Sequence, residues 1–265
     1  YEGFIDARRG LVRSKNLVAV NLMEAAGAPY VSAFAERFGF LAERNPPALP
    51  LALGAGAITP LQLTQAYAVF GNGGHWIQPR LISQVRERNG PLLYTAQGPS
   101  DRTAVISARN AYVMDSLLRD VVQHGTGRRA AALGRSDVAG KTGTSNDARD
   151  AWFAGYSSGL ASVVWMGYDQ PRSLGGRATG GTLALPVWAA YMQTAVADRP
   201  VSVPSAPEGL AKFRDDFVYS EYLAGACVDN RSAFVQPVFA CRAAPLPAGG
   251  DGGLLPLVPV DLGAP

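Results

Sequence analysis

The sequence predicts an α/β protein of the α+β kind, in which an antiparallel sheet is flanked by helices. Three observations carry this. Helix signals dominate up to about residue 125, three short strand-like runs separated by tight-turn residues follow, and another apolar helical run closes them. Loops between consecutive strands this short cannot hold the crossover that a parallel pair needs, so the strands form a meander.

The first helix is expected over 16–26, an apolar run stopped by Gly27, and its apolarity predicts burial. A second is expected over 29–38. Thr59-Pro60 announces a third, a capping residue followed by proline at the first helical position, and Gly71-Asn72-Gly73-Gly74 ends it. Residues 81–88 and 92–96 flank Asn89-Gly90-Pro91 and read as a short hairpin. From Ser107 the pattern is helical again, with Ala111, Met114, Leu117, Leu118, Val121 and Val122 on one face before Gly125.

Strands are expected over 138–144, 150–156 and 160–168, rich in β-branched and aromatic residues and separated by Ser145-Asn146-Asp147 and Ser157-Ser158-Gly159. A closing helix is expected over 182–197. Beyond it, 199–209 is Pro-rich and reads as a linker, 213–239 has room for two or three short strands, and 243–265 is too rich in proline and glycine to pack. The expected organisation is a main domain over 1–198, a linker with a small β extension over 199–242, and a flexible tail over 243–265.

Composition narrows the function classes. The chain has 265 residues, 48% hydrophobic and 17% charged, with a formal net charge of +3 and no dense run of Lys or Arg, which argues against a nucleic-acid footprint. Cys227 and Cys241 stand in no metal-ligating spacing, so neither a metal nor another cofactor is expected; they are either a disulfide pair or free thiols. No apolar run is long enough to span a bilayer, and Tyr1-Glu2-Gly3-Phe4 lacks the basic start and apolar core of a signal peptide.

Lysine occurs only at Lys15, Lys141 and Lys212, and two of the three sit in motifs. Gly140-Lys141-Thr142-Gly143-Thr144 lies on an expected strand, where a period of two puts both threonines on one face. Gly143 between them removes side-chain bulk, so an extended peptide could pair with the strand edge while the hydroxyls hold its carboxylate. Alternation sends Lys141 the other way, so its ammonium must reach such a site around the strand edge. The bland alternative is a solvated lysine among good strand formers. Ser14-Lys15-Asn16 precedes the first expected helix and by itself reads equally well as a helix cap.

Together, Ser-x-Asn followed far downstream by Lys-Thr-Gly-Thr resembles the motif order of penicillin-binding proteins and serine β-lactamases. Longer stretches are similar to class A penicillin-binding proteins: Arg13-Ser14-Lys15-Asn16-Leu17-Val18, Leu51-Ala52-Leu53-Gly54, Ala66-Tyr67-Ala68-Val69-Phe70, Gly125-Thr126-Gly127-Arg128, Asp150-Ala151-Trp152-Phe153-Ala154-Gly155-Tyr156 and Trp165-Met166-Gly167-Tyr168-Asp169. The resemblance covers roughly residues 1–197. It implies a transpeptidase fold and a peptidoglycan D,D-transpeptidase, in which a serine attacks a stem peptide ending in D-Ala-D-Ala and β-lactams intercept the same serine.

Carried over by motif, Lys141 and Ser14 form a proton relay and Asn16 holds the substrate amide. Thr142 and Thr144 anchor the substrate carboxylate beside Gly143, and the Thr144 N–H donates to the oxyanion. The resemblance also implies a parent protein at the periplasmic face of the bacterial inner membrane. One departure matters: the family's nucleophile sits in Ser-x-x-Lys, and the positions three before each lysine are Val12, Val138 and Gly209. The expectation is therefore a domain incomplete at its N-terminus, short of strands, inactive alone, and completed by a second polypeptide piece.

Two rival readings remain. One is a binding module that keeps the fold without the reaction. The other is a phosphate-binding loop over 134–142, which fails on spacing because five residues rather than four separate Gly134 from Gly140. His75 and His124 lie near element ends and read as structural or surface residues.

Overall fold

The computed structural model describes residues 5–96 and 103–223, so Cys227, Cys241, the expected tail and part of the expected β extension lie outside the described residues. The chain opens with a short helix that periodicity did not announce, α1 (Ala7–Val12), whose N-terminus is capped by the Asp6 carboxylate accepting from the Arg9 N–H at 2.6 Å. It is followed by α2 (Asn16–Ala26) and α3 (Ala28–Glu36), which meet at 91° across Gly27.

Helix α2 departs from expectation. Only Met23 is buried along it, while Leu17 and Leu22 are 60% and 45% exposed. Its apolar residues do not gather on one face, so no single described neighbour covers them. No single helix among the described residues is long and apolar enough to cross a membrane.

Helix α4 (Pro60–Gly71) begins where Thr59-Pro60 indicates, with a full capping box between Thr59 and Gln62. Strands β1 (Gln84–Arg86) and β2 (Leu92–Thr95) form an exposed antiparallel ribbon turning through Asn89, at φ +60°. Helix α5 (Ala108–His124) is capped by Ser107 and buries Ala111, Asp115, Leu118, Val121 and Val122. The carboxylate in that set was not foreseen: Asp115 accepts from the Tyr156 hydroxyl at 2.9 Å and from Arg119 Nε at 2.7 Å, so both oxygens are satisfied.

The central sheet is the expected meander, β3 (Ala139–Thr144), β4 (Ala151–Ser157) and β5 (Leu160–Met166), antiparallel in the order β3-β4-β5. A strand at 139–144, rather than a helix, also excludes the phosphate-loop geometry. Helices α4 and α5 cover one face, with Leu118, Ala139 and Tyr156 in the seam. On the other face α6 (Leu185–Ala195), entered through a π-helical turn at Gly180–Ala184, packs Trp188 edge-on against Phe153 with ring centroids 4.8 Å apart. This is the helix–sheet–helix arrangement the sequence predicts.

Past α6 the chain runs without regular structure to a hairpin, β6 (Leu210–Phe213) and β7 (Asp216–Tyr219), and a turn of helix, α7 (Ser220–Leu223). The hairpin begins before residue 213, so the strands start three residues earlier than expected. The Pro-rich connection is also pinned to the domain. Asp137, buried below 4% exposure, accepts from Arg135, Ser157, Ser158 and the Ser202 N–H, while Arg135 donates to the carbonyls of Arg199 and Pro200. Burial acts to raise the Asp137 pKa, but these donors outweigh it and hold the carboxyl well below the usual carboxylate range.

Candidate functional site

The two motifs meet. Lys141 Nζ donates to Ser14 Oγ at 2.9 Å and to the Thr142 carbonyl at 3.0 Å. Thus the ammonium reaches the turn that follows α1. The lysine is half-buried, and loss of water around the charge lowers its pKa from 10.5 to about 8. A lysine poised there exchanges a proton with a neighbouring hydroxyl near neutral pH far more readily than a solvated one.

Ser14 is not at the start of α2. The residue capping α2 is Lys15, which makes no side-chain capping bond; Ser14 instead ends α1. The Ser14 N–H donates to the Leu11 carbonyl at 3.0 Å and the Lys15 N–H to the Gly10 carbonyl at 2.8 Å, the bond pair of a Schellman turn. Ser14 takes the left-handed position, φ +53°, that glycine usually fills, at a cost of order 1 kcal/mol. That turn aims its hydroxyl at Lys141. Asn16 follows, exposed in the first turn of α2, with its amide engaged by no described residue.

The floor of the site comes from a loop that the sequence did not single out as functional. Thr126 Oγ1 and Thr142 Oγ1 are 2.7 Å apart, and the Thr126 N–H donates to the Val12 carbonyl at 3.3 Å. Gly125 makes this possible, since a Cβ there would lie 2.4 Å from the Val12 carbonyl oxygen. The only sequence signal for Thr126 was Gly125-Thr126-Gly127 directly after a helix. Thr144 Oγ1 accepts from the Gly180 N–H at 3.0 Å, so its own proton is free to donate outward.

Strand β3 pairs with β4 and with no other described strand, leaving its second edge open beside these groups. Lys141, Thr142, Gly143 and Thr144 therefore line one edge, Ser14 and Thr126 stand across from them, and Asn16 lies near Ser14. His75 and His124 are elsewhere: His75 binds Asn72 through its backbone N–H, and His124 is exposed with Nδ1 2.5 Å from Asp120.

Residues 1–193 match the family model for the penicillin-binding protein transpeptidase domain. Among similar proteins, penicillin-binding protein 1A of Neisseria lactamica is 39% identical over 243 residues, covering 89% of this chain and 30% of that protein. Penicillin-binding protein 1A of Pseudomonas aeruginosa is 35% identical over 262 residues, covering 81% of this chain and 32% of that protein. The crystal structure of penicillin-binding protein 1A from Haemophilus influenzae superposes with a TM-score of 0.74 at 32% identity, over 78% of this chain and 36% of that one. The chain thus spans roughly a third of the length of these relatives.

Proposed function

The chain belongs to the penicillin-binding protein transpeptidase family, and on that premise we propose that it supplies the lysine, serine and asparagine side of a peptidoglycan D,D-transpeptidase centre. A serine nucleophile attacks the carbonyl of the penultimate D-Ala of a stem peptide, the terminal D-Ala leaves, and an amine of a second stem opens the acyl-enzyme. β-Lactams acylate the same serine. In this reading the parent protein works at the periplasmic face of the inner membrane.

Each residue then has a task. Ser14 gives a proton to the departing D-Ala nitrogen and recovers it from Lys141, whose lowered pKa suits that exchange. Asn16 donates to the substrate amide carbonyl. Thr142 and Thr144 bind the terminal carboxylate, Gly143 lets the peptide approach the open edge of β3, and the Thr144 N–H stabilises the oxyanion. The observation that carries the reading is the 2.9 Å contact between Lys141 and Ser14.

No Ser-x-x-Lys occurs in this sequence, so the nucleophile comes from a polypeptide segment outside it. Fluorescent penicillin tests this. The chain alone should stay unlabelled, and the chain co-expressed with a Ser-x-x-Lys segment from a penicillin-binding protein 1A relative should be labelled on that segment. Labelling of a serine within this chain would overturn the account of the nucleophile; a stable pair that takes no label would overturn the transpeptidase reading in favour of a binding module.

A further inference from the structure

Hairpin β6–β7 lies beyond residues 1–193, the part that the family model matches, yet it packs against α5 and α1. It docks on the first turns of α5. Phe217 meets Tyr112 edge-on with ring centroids 5.0 Å apart, and the Arg109 guanidinium sits 4.0 Å over the Tyr219 ring while binding Glu221 at 2.6 Å. The Tyr219 hydroxyl donates to Asn110 Oδ1 at 2.5 Å.

One residue of the hairpin reaches past α5. Asp216 Oδ1 accepts from Arg8 Nε at 2.5 Å, and Arg8, with its side chain only 11% exposed, also donates to the Ser116 carbonyl at 3.3 Å and Ser116 Oγ at 3.2 Å. Arg8 is in α1, a six-residue helix, too short to hold its shape or place without tertiary contacts. The C-terminal turn of that helix presents Ser14. Asp216 therefore stands one short helix away from the hydroxyl that touches Lys141.

We propose that hairpin β6–β7 is a brace for the site, with Asp216, acting through Arg8, as a positioning residue that fixes α1 and so holds Ser14 against Lys141. Helix α1 is otherwise held toward its C-terminal end, by the Thr126 N–H bond to the Val12 carbonyl and by the close approach of Gly125 to Val12 and of Gly10 to Val18, so Arg8 is a polar anchor for its first turn. Without Asp216, Arg8 keeps an acidic neighbour in Asp120, now 3.6 Å away on α5 and already engaged with His124. Arg8 would turn toward it, drawing the start of α1 along α5. The inference rests on the Ser14 and Lys141 reading above but concerns sequence that the family pattern does not include.

The test is the titration of Lys141 in the whole chain, read from its 13Cε shift in lysine-labelled protein; with only three lysines, Lys→Arg variants assign the signals. In the unsubstituted chain Lys141 should titrate near 8, and in Asp216→Ala it should move upward toward 10.5 as water enters between α1 and β3, while Asp216→Glu restores it. If the alanine variant does not fold, Asp216→Asn, which keeps the shape, replaces it. A folded variant whose melting temperature falls while Lys141 titrates unchanged would reduce the hairpin to a stabilising appendage and overturn the proposal. So would an ordinary lysine titration in the unsubstituted chain. This readout uses no substrate and no nucleophile, so it can fail while penicillin labelling succeeds, and the reverse.

Discussion

Lys141 Nζ and Ser14 Oγ are 2.9 Å apart although 127 residues separate them, and the hydroxyl reaches that point only because Ser14 adopts a left-handed backbone. The arrangement sets position against comfort. A glycine would fit the turn better, but it would bring no hydroxyl.

Ser14→Gly and Ser14→Ala both lose the hydroxyl that Lys141 binds, but only glycine relieves the turn, so the glycine variant should be the more stable of the two by about 0.5–1 kcal/mol. Urea midpoints at unchanged m-value measure both. Greater stability of the alanine variant than of the glycine variant would contradict the turn assignment.

The folded pKa of Lys141 is depressed, so the sign of its pH dependence is set. Below about 8 the folded state holds a poorly solvated ammonium that the unfolded chain solvates freely; between 8 and 10.5 the unfolded chain binds more protons, and stability attributable to this group rises with pH. The stability of the unsubstituted chain relative to Lys141→Met should rise across that window by up to about 3 kcal/mol. Denaturant titrations of the two proteins at pH 7 and pH 10 give the difference directly. A flat or falling difference would mean that the lysine is solvated.

Asp137 has the opposite sense. Its carboxyl is held below the usual 3.8 by Arg135 and three other donors despite its burial, so its contribution is present above about 4 and fades as pH falls below that. Asp137→Ala leaves the Arg135 charge without its partner and should cost about 3–5 kcal/mol, loosening the crossing at Arg199 and Pro200. Thermal unfolding at pH 7 and pH 3 tests it: the gap between the two proteins should narrow at the lower pH.

Gly180 is the close-approach point under Thr144. A Cβ there would lie 2.2 Å from the Trp152 carbonyl oxygen and 2.5 Å from that of Gly143. Gly180→Ala should push the π-helical turn off β3, cost about 1–3 kcal/mol and break the bond to Thr144 Oγ1. Weakened penicillin labelling of the assembled pair, beyond the loss of folded protein, is the expected readout.

Much of this architecture is legible in the chain, for identifiable reasons. The Thr59-Pro60 start of α4 and the turn residues between β3, β4 and β5 are local signals that tertiary structure did not override. The Lys-Thr-Gly-Thr edge is legible because strand periodicity fixes which hydroxyls align. Helix α1 is not, since six residues with two arginines and a glycine have no apolar period. That omission made Ser14 look like the start of α2 rather than the end of α1. Asp115 and Asp137 each have an arginine close in sequence, Arg119 and Arg135, but such a pair reads equally well as a surface ion pair, and the partners that bury them, Tyr156 for Asp115 and Ser157, Ser158 and Ser202 for Asp137, are distant. The apolar character of α2 suggested burial, which depends on what packs on it and not on the helix itself.

The central claim is that Lys141 and Ser14 serve a D,D-transpeptidase. Its most direct measurement is D-alanine release from a stem pentapeptide by the chain assembled with a Ser-x-x-Lys segment, with and without Lys141→Ala. Release should occur in the intact assembly and fall by about 10²–10⁴-fold in the variant. Equal release from both assemblies would contradict the account.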